Sequence, residues 1–172
     1  GGGEEQRGEG LTEEEMQQLQ EQINETTRIL WSMAALNQDI DNRLQADNIQ
    51  REFERIMAQP NDPMVPRAMG ALAALRDVGQ QLQDEILNCQ QLIARLRADR
   101  VNNWANVPQE RRREEFDRIQ GEIMGLSARF NLLIDDMNDV YQILQGVAGI
   151  PITENVFQRR EMPQQPEPEE VD

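Results

Sequence analysis

The sequence contains no histidine and no lysine, so all 17 of its cationic side chains are arginine. Their absence removes the commonest general base, the Schiff-base amine and the commonest metal ligand, and an enzyme would have to work with carboxylates alone. The single cysteine, Cys89, forbids an internal disulfide, and one thiol without histidine does not make a zinc site. A di-iron bundle needs Glu-x-x-His, which this chain cannot write. No glycine-rich phosphate loop is present, and no cofactor is expected. No apolar run approaches 18 residues, so no membrane span is expected, and no secretory signal is read. Aromatics are only 4%, and proline and glycine gather at the ends and in one loop, which favours long helices over sheet. Genomic preference for arginine explains the missing lysine more simply than selection against amine modification.

The formal charge is −15, and its placement matters more than its size. Residues 1–15 carry −5 and residues 152–172 carry −4, which leaves −6 for the whole middle. Both arms read as acidic, disordered and solvating. Nucleic acid and anionic membranes reward clustered positive charge, so neither is expected as a partner.

What is present is a helical seam. Phe116, Ile119, Ile123, Leu126, Phe130, Leu133, Met137, Val140, Leu144 and Val147 alternate steps of three and four without exception. This heptad pattern predicts a helix over 108–147 packed along its length against other helices. At about 1.5 Å per residue the seam runs roughly 48 Å.

Two further segments carry similar seams. Thr12 with Glu15 forms a capping box, Leu11 faces Met16 as a staple, and three glutamates suit the positive end of a helix dipole. From there Met16, Leu19, Ile23, Thr26, Leu30, Met33, Asn37, Ile40 and Leu44 predict a helix over 12–58, bending where the phase drifts to Ile49, Phe53, Ile56 and Met57. Asn37 either fixes register or marks a wet site. Trp31 lies off the seam beside Ile29, Ala34 and Leu36; packing inside the bundle is favoured over a face for another chain. Three prolines between Gln59 and Pro66 impose a loop. Ala68, Leu72, Leu75, Gly79, Leu82, Ile86, Cys89, Ile93 and Leu96 then predict a helix over 67–101, whose small residues at 69–75 suggest close helix approach. Cys89 reads as a small buried hydrophobe.

The turn around Trp104, with Pro108 at the start of the next helix, is bracketed by Arg95, Arg97 and Arg100 on one side and Arg111, Arg112, Arg113 and Arg118 on the other. An up-down-up chain brings this hairpin beside the acidic segment Glu4–Glu15. Internal pairing is the simpler expectation; the functional one is an Arg and Trp tip docking an acidic or phosphorylated partner. The acidic run Asp135, Asp136 and Asp139 reads as a solvated helix face.

Gly146, Gly149 and Pro151 stop the third helix, and residues 151–172 read as an extended acidic, proline-rich tail contributing no core. It closes with Glu169-Glu170-Val171-Asp172. These four residues resemble the C-terminal tetrapeptide of the cytosolic heat-shock chaperones of the seventy- and ninety-kilodalton families, and the resemblance covers nothing else. It implies recognition by tetratricopeptide-repeat co-chaperones, with Asp172 and the terminal carboxylate as a double anion, Val171 in an apolar pocket, and Glu169 and Glu170 at the periphery.

The sequence therefore predicts an all-α protein. It comprises a flexible acidic arm (1–11), an elongated antiparallel three-helix bundle (12–150) and the tail (151–172). The expected role is a non-enzymatic scaffold binding other proteins or itself. Recruitment of tetratricopeptide co-chaperones is one alternative, and a virion or large-assembly component processed from a precursor is another. The expected location is intracellular and cytoplasmic, or within a larger particle. Opening on Gly1-Gly2-Gly3 without Met suggests a fragment, a processed or tagged chain, or a removed initiator; myristoylation would require Ser or Thr where Glu5 stands.

Overall fold

A computed structural model describes residues 10–102 and 104–163, with the side chains of 99–102 and 105 outside the description. Among the described residues the chain is all-helical: α1 (Glu13–Ala46), α2 (Ile49–Met57), α3 (Val65–Asn102), a 3-10 turn (Trp104–Asn106) and α4 (Gln109–Ala148). The capping box forms as the spacing requires. Thr12 Oγ1 accepts from the Glu15 N–H at 3.1 Å, and Glu15 Oε1 accepts from the Thr12 N–H at 3.0 Å. Leu11 packs on the core, whereas Met16 stays largely exposed.

The helix expected over 12–58 is two helices. It breaks at Asp47-Asn48, where Asn48 adopts a left-handed φ of 58° that asparagine tolerates better than most residues. The break resets the apolar phase, so that Ile49, Phe53 and Ile56 all turn inward. Tyr141 of α4 holds it from outside, its hydroxyl donating to the Asp47 carboxylate and, at 3.4 Å, to the Arg43 carbonyl. The loop after α2 is tightened by Asp62, whose side chain accepts from the Met64 N–H at 2.9 Å. Pro108 caps α4 instead of occupying its first turn. At the far end Gly149, at φ 73°, and Ile150 satisfy the last carbonyls of α4 as a left-handed cap does.

α1, α3 and α4 pack on one another, and α2 packs on all three. Between α3 and α4, Arg95 meets Glu122 and Glu85 meets Arg129, so the two run in opposite directions. Nine of the ten α4 seam residues are buried and Val147 is half-buried. On α1 the buried stripe drifts from the strict heptad: Leu36 takes the inward position and Asn37 faces solvent. Trp31 is not an inner packing residue, being 70% exposed. The small residues of 69–75 do not mark close approach at Gly70, where an added Cβ would meet nothing within 4 Å. Gly70, Ala71 and Ala74 instead line an open cleft of about 460 Å³ with Met64, Ile143 and Val147.

The expectation that the tail contributes no core fails at Phe157, while its extended character holds over residues 151–163. Residues 150–163 contain no helix, yet Phe157 is 4% exposed and counts among the core. Burying such a side chain contributes about 1.5–3 kcal/mol toward holding a strap that also satisfies part of its backbone.

Candidate functional site

The strap is held by a ladder of amide side chains. Asn131, Asn138 and Gln145 stand seven residues apart on α4, flanking the apolar seam. Seven helical residues rise about 10.5 Å and three extended residues span about 10 Å, so heptad-spaced amides can meet successive short steps of an extended chain. Gln145 Oε1 accepts from the Thr153 N–H at 3.0 Å. Asn138 accepts from the Phe157 N–H at 2.9 Å and donates to its carbonyl at 3.0 Å. Asn131 does the same with Arg160, at 2.8 Å each way. The longer step from Thr153 to Phe157 absorbs a kink at Asn155, whose φ is 53°.

Side chains add register to these backbone contacts. The Phe157 ring meets Tyr141 edge-on, with centroids 5.5 Å apart. Arg159 pairs with Asp135, and Arg160 crosses to α1, where it meets Glu25 at 2.8 Å. Burial opposes ionisation of Glu25, but hydrogen bonds and charge from Arg28 and Arg160 outweigh it and hold the carboxyl below the usual glutamate range. Asp135 is likewise held low by the Arg159 guanidinium. The strap thus ties α4 to α1. Beyond Arg160, Pro163 borders a polar cleft of about 530 Å³ whose wall includes Gln22 and Glu25.

The Arg-rich tip is only partly a surface. Arg112 is buried: it donates to Glu15 at 2.9 Å and to the carbonyls of Gly10, Trp104 and Val107 at 3.2, 3.1 and 3.3 Å. Trp104 is also buried and stacks on Phe116 at 4.5 Å. These two therefore lock the α3–α4 turn onto the start of α1 and are not free to dock a partner. Burial penalises the Glu15 carboxylate, yet its bonds to Thr12 and Arg112 keep it below its ordinary value. Arg95 pairs with Glu122, and Arg118 with Glu115 and Glu122. Arg97, Arg111 and Arg113 are exposed, and the Arg100 side chain lies outside the description. So do Glu4–Glu9 and the terminal Glu169, Glu170, Val171 and Asp172.

Several exposed side chains and one cleft are apolar. Besides Trp31, the side chains of Met69, Leu87, Leu132 and Ile143 are at least half exposed on the long helices. A cleft of about 270 Å³ between α2 and α3, walled by Phe53, Met57, Leu72 and Leu75, is almost wholly apolar. Among the described residues no helix is long and apolar enough to cross a membrane, and no cluster of three metal-ligating side chains occurs. Cys89 is buried beside Met33, with sulfurs 3.8 Å apart, and burial pushes its thiol up to about 11.

Comparison with protein-family models, with curated proteins and with solved structures finds no match to this chain.

Sequence reasoning missed the strap site entirely. Its signal was there in the heptad spacing of Asn131, Asn138 and Gln145, but polar residues beside a seam read as solvent-facing.

Proposed function

We propose that this chain is a non-enzymatic scaffold: an elongated antiparallel three-helix bundle, with heptad seams closed within the chain, that assembles with other proteins or with itself. The observation that supports this most is Trp31, 70% exposed in the middle of a 34-residue helix. A large amphipathic ring left in water at such a position has the character of an interface anchor, since Trp leads the residues that dominate binding energy at interfaces. The test is affinity capture and sedimentation with the intact chain and Trp31→Ser. The reading expects association that the substitution weakens at least about tenfold with the helical CD signal unchanged. Association indifferent to Trp31, or none, counts against it.

A second reading, recruitment of tetratricopeptide co-chaperones, is supported by the match of Glu169-Glu170-Val171-Asp172. A purified tetratricopeptide domain should then bind the intact chain and lose it when the C-terminal carboxylate is amidated. Equal binding of both would remove this reading.

A further inference from the structure

We propose that residues 150–163 are exchanged between two copies of this chain, the strap of each seating on the amide ladder of the other. The proposal rests on the scaffold reading and names a partner for it.

Two independent observations carry it. First, each described anchor of the strap lies on α1 or α4: Gln145, Asn138, Asn131, Asp135 and Glu25. An identical second body therefore offers the same rungs at the same spacing. Only the link around Gly149-Ile150-Pro151 has to change path, and it begins at a glycine in a left-handed cap, a conformation glycine leaves at little cost. Exchange of an identical element through such a hinge is a low-cost route to a dimer, because every contact of the closed form is regenerated.

Second, the surface at the hinge is uncovered and apolar. Ile143 is 50% and Ile152 59% exposed, and Ile143 lines the open cleft with Met64, Ala71, Ala74 and Val147. A crossing pair of hinges would bring two copies of this patch together, supplying a contact that the closed monomer lacks. Apolar surface left uncovered beside the hinge is what an exchanged dimer could bury.

The test uses the full chain, with Cys89→Ala throughout. Copies carrying Asp135→Cys and copies carrying Arg159→Cys are mixed in urea, refolded together and treated with a short bis-maleimide. Exchange predicts a covalent heterodimer, at least about tenfold more abundant than when the Asp135→Cys copy also carries Asn138→Ala. A single chain bearing both cysteines reports seating within one copy. If that chain cross-links internally while the mixture yields no heterodimer, the exchange is overturned. Sedimentation of the same mixture separates the two ideas: copies that associate without the Asp135–Arg159 cross-link leave the scaffold reading standing and remove the exchange.

Discussion

Asn138 and Phe157 exchange two hydrogen bonds: the asparagine amide accepts from the Phe157 N–H at 2.9 Å and donates to the Phe157 carbonyl at 3.0 Å. One side chain thus imitates a strand neighbour, and both backbone groups of a buried residue are satisfied without secondary structure. Asn138→Ala removes both bonds and strands the Phe157 backbone. With each lost bond costing about 1–1.5 kcal/mol, the strap should loosen by about 2–3 kcal/mol. Trypsin should then cut after Arg159 and Arg160 much faster than in the wild type, with the helices intact by CD. Unchanged cleavage would mean that the ladder does not hold the strap.

The tip arginines should separate sharply by burial. Arg112→Ala leaves Glu15 and three carbonyls without this donor in a partly buried site, a loss of about 1–3 kcal/mol. Arg111→Ala and Arg113→Ala, on the exposed side of the same turn, should each stay within about 0.5 kcal/mol. Urea denaturation of the three variants decides this. Three similar values would show that Arg112 is not the lock.

Much of this was legible in advance, and what was not has a physical cause. The seam of α4 follows from spacing alone, because an apolar residue at each inward position leaves few other ways to bury it. The first-helix capping box was readable for the same reason, as its chemistry is local. The break at Asp47-Asn48 was signalled only by the phase drift toward Ile49. Its Asp47 is held by Tyr141, 94 residues away, a contact no local pattern contains. The strap left only half a signal, the heptad spacing of Asn131, Asn138 and Gln145, because these amides pair with backbone, and backbone groups carry no sequence. Trp31, expected to pack inside the bundle, faces water, whereas Arg112 pairs with Glu15 as the simpler expectation of internal pairing has it.

Acid should release the strap at its α1 end. The Glu25 carboxyl is held below its ordinary value of about 4.3. A depressed folded-state pKa contributes stability that is present above the unfolded value and is lost as pH falls through the folded one. The Glu25–Arg160 contact should therefore hold from neutral pH to about 4.3 and weaken only below it. Fluorescence from a dye at residue 159 should report no change from pH 7 to 5 and a transition only below the ordinary glutamate value of about 4.3. In Glu25→Gln that acid transition should shrink. A transition centred near pH 6 would contradict the assignment.

Cys89 should be inert in the folded chain. Its thiol is buried and pushed up to about 11, so little thiolate exists at neutral pH, and the thiolate is the reactive form. A thiol-reactive chromophore should label it at least about a hundredfold more slowly in the native chain than in urea. Equal rates would place Cys89 at the surface.

The central structural claim, that residues 150–163 belong to the fold, is tested most directly by amide hydrogen exchange at Thr153, Phe157 and Arg160. The ladder predicts protection at these three positions of at least about a hundredfold over the free peptide, falling toward free-peptide rates in Asn138→Ala. Exchange at free-peptide rates in the wild-type chain would contradict it.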